Sequence, residues 1–349
     1  MAEARKLPSI SFTTKHLRPH EQFDAWRENM AKIFDGAPAA GQSPKAGFKI
    51  TGHAYALGEM IVGQAVYDGH RFVRDKRKIA GDGLDHYHVQ LCTAGGLVNS
   101  LNGTDIVLQP NDVQIHNLGR PNNMLQKASG AIGVIVTREM LRAALPQSAD
   151  PHGLVLRGNS ALGGLLSSYL KSLMARLDQM EADDGPLLAS ATAQMIAACF
   201  HQTADTATQA QSTIDLMTLD RIKQFIAQNL SDPLLGPELL CAKSGTSRTT
   251  LYRLFESVGG VASYIREQRL IRAFRELRNP ARRNRRISEI AADWGFASET
   301  HFSTLFRRTF GMSPSEARAG IEETVTMAPD IAVPGSSNGA FSEWIERLR

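Results

Sequence analysis

Two groups of side chains in this sequence have the types and the spacing to do chemistry. One is His86 and His88 in the run HYHVQLC, two imidazoles one residue apart. Successive side chains of a strand point to opposite faces, so this pair shares a face, where it can touch a small ligand, hold a metal, or pack as ordinary structural histidine. The other group lies far downstream: Arg248, Thr249, Tyr252 and Arg253 in SRTTLYRLF, then Glu299, Thr300, Ser303, Thr304, Arg307 and Arg308 in SETHFSTLFRRTF. A guanidinium fork bonds the O6 and N7 edge of guanine, a carboxylate accepts from cytosine N4, hydroxyls serve several bases, and arginine also takes phosphate. That is the chemistry of a surface that reads duplex DNA.

Such groups need helices that hide one face and offer the other, and the surrounding residues supply them. In PELLCAKSGTSRTTLYRLFESV, Pro237 can open a helix because its missing N–H is not needed in the first turn. Leu239, Leu240 and Ala242 face a core, Ser244-Gly245-Thr246 form a tight turn, and Ser247 caps a second helix packed by Leu251, Leu254 and Phe255. This is the pattern of a helix-turn-helix. It recurs in ISEIAADWGFASETHFSTLFRRTF, with Ile287, Ile290 and Ala291, a turn at Trp294-Gly295-Phe296, a cap at Ser298, and Phe302, Leu305 and Phe306 on the buried face. Val261 to Leu277 joins the two as an amphipathic helix through Tyr264, Ile265, Leu270, Ile271, Phe274 and Leu277. A rigid spacer that holds the reading helices roughly 34 Å apart lets both enter successive major grooves. Beside the second unit, Arg282, Arg283, Arg285 and Arg286 in NPARRNRR add candidate phosphate contacts.

Charge follows the same division. Asp215 to Gly320 holds 17 Lys+Arg against 11 Asp+Glu, leaving 22 against 24 for the rest of the chain. The basic surplus is confined to the candidate reading region, which favours nucleic acid as its partner. Upstream, from Phe48 to Val136, short apolar runs broken by Gly, Asn, Asp and Pro predict an antiparallel sandwich or barrel. Phe23, Trp26, Met30 and Ile33/Phe34 predict a helix over His20 to Phe34 that covers it. A leucine stripe from Leu162 to Leu177, the break ADDGP, and Leu188, Ala191, Met195 and Cys199 predict a helical hairpin. Thr203 to Thr213, small and polar without periodicity, predicts a flexible linker.

With 349 residues the chain exceeds a single core. The expected division is 1–158 a β domain, 159–202 a helical hairpin, 203–213 a linker, 214–320 the tandem helix-turn-helix domain, and 321–349 a loose tail with one short helix. Three scattered cysteines make no disulfide framework or zinc knuckle. No run is long and apolar enough to span a bilayer, and the start lacks a signal-peptide core, so a cytoplasmic protein without membrane contact is expected.

The downstream third resembles the AraC-type family of bacterial transcriptional regulators. SRTTLYRLF, REQRLIRAFREL, ISEIAADWGF and HFSTLFRRTFGMSPSEAR appear in that family's order and spacing over about Leu219 to Arg318. FDAWRENM and the strand spacing resemble the effector-binding half of one branch. The resemblance implies an α+β multidomain chain with a cupin-like β-barrel, a helical hairpin that makes a homodimer, and an all-α domain of two helix-turn-helix units. It implies a sequence-specific regulator of promoter DNA, more often an activator working with RNA polymerase, controlled by a small-molecule effector; no cofactor and no catalysis are expected. By alignment Thr249, Tyr252 and Arg253 face bases and Arg248 meets phosphate; the second unit offers Glu299, Thr300, Ser303 and Thr304, with Arg307 and Arg308 on the backbone. Two departures stand out: VGGVAS replaces a single Gly followed by Ser/Thr-Pro, and NPARRNRR is longer and richer in arginine. In cupin barrels a His-x-His pair begins a metal site completed by a Glu a few residues on and a His two strands later. Here VQLCTAGG carries no carboxylate and His116 is the one candidate partner, so metal is disfavoured, and His86 and His88 are candidates for effector contact or plain structural histidines. Two rivals remain, a metal-dependent cupin enzyme with a helical appendage and an effector-independent DNA binder, the latter needing no pocket in 48–136.

Overall fold

Apolar side chains at alternate positions of the upstream half drive it into antiparallel strands whose two faces bury against different partners. The computed structural model describes residues 5–39, 41–101, 104–144, 151–201, 209–256, 259–319 and 338–348. The chain forms two units, one made of Met1–Pro146, Asp150–Asp205 and Ala332–Arg349, the other essentially Thr206–Ile331.

In the first unit, β1 (Ser9–Thr13), β3 (Ile50–Ala56), β4 (Met60–Tyr67), β11 (Ser129–Val136), β6 (Tyr87–Ala94), β9 (Val113–Asn117) and β12 (Val155–Leu156) lie side by side in that order. A second sheet runs β2 (Asp35–Pro38), β5 (His70–Arg74), β10 (Asn122–Gln126), β7 (Leu97–Leu101) and β8 (Thr104–Leu108). Among the described residues no ladder joins the two, so the arrangement is a pair of packed sheets and not a closed barrel. The larger sheet is apolar on both faces and needs a cover on each. Met60, Val62, Val89, Leu91, Ile132 and Val134 pack one way, against α4 (Ala161–Met174) and α5 (Gly185–His201). Ile61, Ala131 and Ile135 point the other way, toward Phe72, Leu97 and Met124 of the smaller sheet and toward α1 (Pro19–Met30), whose Phe23 and Trp26 are buried. The short helices α2 (Lys76–Asp82) and α3 (Arg138–Ala144) complete the unit.

The leucine stripe finds its partner within its own chain. Leu166, Leu170, Leu173 and Leu177 are buried in the same core as Val62 and Val134, so the stripe itself is not the free face that the dimer implied by the resemblance would use. A twisted seven-stranded sheet offers a full second face, and that face is what the hairpin fills. Leu165 and Leu187 are the large apolar side chains of the hairpin left exposed.

The tail also departs from expectation. Residues 320–337, including most of VPGSSNG, lie outside the described residues, but α13 (Asn338–Arg347) packs onto the first unit. Phe341, Trp344, Ile345 and Leu348 recur at helical spacing and join the core that holds Phe23, Trp26 and Ile50. Lys32 meets Glu346 at 2.7 Å on the surface beside it.

The second unit contains α6 (Gln209–Gln228), α7 (Pro237–Ser244), α8 (Arg248–Phe255), α9 (Val261–Leu277), α10 (Ile287–Asp293), α11 (Glu299–Phe310) and α12, described over 314–319. Of the segment read as a linker, 203–208 lie outside the described residues and Gln209 onward is helical. Alanine and glutamine are good helix formers even where no apolar period marks them.

Candidate DNA-reading surface and ligand cavity

The turn between α7 and α8 is built from the residues its geometry requires. Gly245 ends α7 in the left-handed region at φ 68°, its N–H bonded to the Cys241 carbonyl at 3.0 Å. That conformation costs most side chains about 1 kcal/mol or more, and glycine avoids the cost. The Ser247 hydroxyl then accepts from the Thr250 N–H at 3.1 Å and starts α8. Leu251, Leu254 and Phe255 bury against Ile222, Ile226, Leu240 and Ile265. The opposite face therefore carries Arg248, Thr249, Tyr252 and Arg253, all exposed. Arg248 pairs with Glu238 of α7 at 2.7 Å, a surface contact of little energetic weight that phosphate can displace.

The second unit repeats the construction. Ser298 accepts from the His301 N–H at 3.4 Å, and Phe302, Phe306 and Phe310 bury one side of α11. Glu299, Thr300, Thr304, Arg307 and Arg308 are exposed, while Ser303 is half-buried and the Thr304 hydroxyl donates to the Thr300 carbonyl at 2.9 Å. Between the heads, α9 is a 17-residue helix, a rod of about 25 Å at 1.5 Å per residue. The arginine run divides in two. Arg285 bonds Glu276 of α9 at 2.7 Å and Asp293 of α10 at 2.8 Å, and Trp294 donates to the same Glu276 at 2.9 Å. Arg285 is thus a tie between helices, whereas Arg282 and Arg283 lie exposed beside the second head. Arg269 is a second tie that sequence reasoning missed. It donates to the Leu230 and Asp232 carbonyls at 2.9 and 2.7 Å and anchors the spacer helix to the loop before α7.

In the first unit, the strand alternation that buries Tyr87, Val89 and Leu91 on one side turns His88 and Gln90 toward the space between the sheets. A cavity of about 170 Å³ lies there, walled by Trp26, Ile33, Phe34, Phe72, Ile135 and Phe341 and reached by His88, Gln90 and Gln126. Gly133 makes room for the imidazole, since a Cβ there would stand 3.0 Å from His88 Nε2. Burial lowers the His88 imidazole to about 4, so it is neutral at pH 7. His116 stacks behind it with ring centres 6.1 Å apart, and Asn99 Nδ2 donates to Gln114 at 3.2 Å deeper in the same layer. The histidine pair is separated by the structure. His88 lines the cavity, but His86 precedes β6, and its imidazole lies 3.7 Å from the Asp85 carboxylate. Strand alternation places two residues on one face only where both belong to the strand. Among the described residues, no three His, Cys, Asp or Glu side chains converge as a metal site would require, and no helix is long and apolar enough to cross a membrane.

Comparison with known proteins matches both halves. Residues 26–201 fit the family model of an AraC-binding-like domain, and residues 240–320 fit a helix-turn-helix domain. The transcriptional activator NphR of Rhodococcus sp is 26% identical over 311 residues, covering 87% of this chain and 91% of that protein. The regulatory protein SoxS of Salmonella typhimurium is 37% identical over 97 residues, 27% of this chain and 87% of its own length. Among solved structures, the AraC-like transcriptional activator CuxR superposes with a TM-score of 0.52 at 28% identity, covering 77% of this chain and 96% of that one. A sheet-rich unit with an interior cavity, followed by two capped reading helices and matched by models along both halves, identifies this chain as a member of the AraC-type family of transcriptional regulators.

Proposed function

We propose that this protein is a cytoplasmic, sequence-specific activator of transcription that binds promoter DNA as a homodimer, answers to a small-molecule effector, and works with RNA polymerase. The observation that carries the reading is the two-faced construction of α8, repeated in α11, with aromatic and leucine side chains buried and arginine, threonine and tyrosine offered outward. The activators NphR and CuxR support the direction of control. In this reading Thr249, Tyr252 and Arg253 meet base edges, Arg248 meets phosphate, and Glu299, Thr300, Ser303 and Thr304 form a weaker second head held to the backbone by Arg307 and Arg308. Arg282 and Arg283 add phosphate contacts, and His88 contacts the effector. The effector acts by binding one arrangement of the protein better than another, and can shift the balance only by that difference in affinity.

Arg253→Ala is expected to cost about 1–3 kcal/mol of discrimination at one base position, and Arg283→Ala to weaken binding to all sequences alike. Selection of sites from random duplexes checks this: an unchanged consensus for Arg253→Ala removes that residue from the reading surface. The dimer rests on the family and on the exposed Leu165 and Leu187 of the hairpin, now that the stripe itself is covered. Light scattering at micromolar concentration is expected to give a dimer, and Leu165→Glu a folded monomer that still holds a single site. A monomeric wild type would leave the hairpin as packing alone. A metal-dependent enzyme, the main rival, does not fit a family of transcription regulators.

A further inference from the structure

We infer that the cavity between the sheets selects an uncharged, single-ring-sized molecule carrying one polar end that both donates and accepts hydrogen bonds, and that it rejects carboxylates and ammonium ions. This rests on reading the first unit as the effector-binding half. Size comes first: at about 170 Å³ the space is close to the cavity of about 150 Å³ that takes up benzene in an engineered apolar core. Its walls set the next limit. Trp26, Phe34 and Phe72 present aromatic surface, and no Asp, Glu, Lys or Arg is among the lining residues. A carboxylate or ammonium group taken from water into such walls finds no counter-charge, and neutral hydrogen-bonding groups alone offset only part of the desolvation. Of the two lining histidines, His53 is exposed to solvent, and the buried His88 does not supply one because it stays neutral near pH 7.

The polar end is specified by what the protein leaves unmade. Gln126 and Gln90 are more than nine-tenths buried, at 1% and 5% exposure. Both amide atoms of Gln126, the Oε1 of Gln90 and the Nδ1 of His88 have no hydrogen-bond partner among the described residues. Buried polar atoms of this kind are rare in folded proteins, because each one left unpaired has lost its water without a replacement. Together they offer at least one donor, the Gln126 amide nitrogen, and acceptors in the two glutamine oxygens. The group that answers them carries both a donor and an acceptor, as a primary amide, a phenol or an alcohol does. A lone water can satisfy these atoms but leaves the apolar walls opposite them empty. A ring with one such end fills both parts of the site.

Benzamide, benzoate, benzylamine and toluene share a ring and differ in the end group, so they test each element separately. Each would be titrated into the full-length protein at pH 7 and followed by calorimetry and by quenching of tryptophan fluorescence. Benzamide is expected to bind at least tenfold more tightly than benzoate or benzylamine, and more tightly than toluene. Gln126→Leu should cut benzamide affinity about tenfold and leave toluene affinity unchanged; Gln90→Leu is the second such variant, used if the first unfolds. Benzoate or benzylamine binding as tightly as benzamide would overturn the neutral-ligand assignment and leave the cavity as an effector site. Toluene binding as tightly as benzamide, or benzamide binding untouched by both glutamine variants, would overturn the polar-end assignment. Failure of all four to bind would overturn the inference together with the cavity reading it rests on.

Discussion

Deletion of residues 338–349 is expected to lower the stability of the first unit by several kcal/mol. Phe341, Trp344, Ile345 and Leu348 are each no more than 9% exposed and share a core with Phe23 and Trp26. Trp344→Ala alone should cost about 3–5 kcal/mol, the usual range for emptying a tryptophan site. In a unit of this size, each kcal/mol lowers the unfolding midpoint by about 2–4 °C. Lys32→Ala is the control, because the exposed Lys32–Glu346 pair is worth about 0–1 kcal/mol. Calorimetry that finds the midpoint of Trp344→Ala within a degree of wild type would show that the helix is not part of the core. Removing Phe341 also takes away one wall of the cavity, so ligand affinity should fall with stability.

The second large effect is on DNA. If Arg248, Arg282, Arg283, Arg307 and Arg308 each neutralise one phosphate, log K should fall with log salt at a slope of about −4.5, at 0.9 per phosphate. Between 50 and 200 mM salt this is a loss of about 500-fold. The double change Arg307→Ala and Arg308→Ala should flatten the slope by nearly two. Arg285→Ala should leave it unchanged and reduce stability instead, because Arg285 is engaged by Glu276 and Asp293. Filter binding across a salt series measures both, and an unaltered slope in the double variant would remove α11 from the phosphate contacts.

The DNA-reading half was legible because its signals are local. Caps at Ser247 and Ser298 and the left-handed glycine at 245 fall within a few residues of the helices they bound, and the same pattern occurs twice. The β half was legible as strands but not as sheets. Nothing near β6 in sequence says that β11 and β9 flank it, and so nothing says that Gln126 on β10 completes the polar end reached by His88 and Gln90. The hairpin shows the same limit in another form. A leucine stripe records that a face is buried, not against which partner, so a dimer and an intrachain sheet produce the same pattern. His86 lies just before β6, so strand alternation does not carry it into the cavity beside His88. The apolar period of α13 was present in FSEWIERL, but ten residues carry no information about a core nearly three hundred residues away in the chain.

That terminal helix gives the order of synthesis a physical meaning. Among the described residues, the helices of the first unit stop at His201 and resume only at Asn338, with the second unit made in between. At about 5–20 residues per second, the ribosome needs about 7 to 28 seconds to cover that interval of about 140 residues. Throughout that time Phe23, Trp26 and Phe34 lack the aromatic cover that Phe341 and Trp344 provide. The nascent sensor therefore waits with an open core while the DNA-binding unit emerges and folds, and its cavity gains its last wall only after the reading heads already exist.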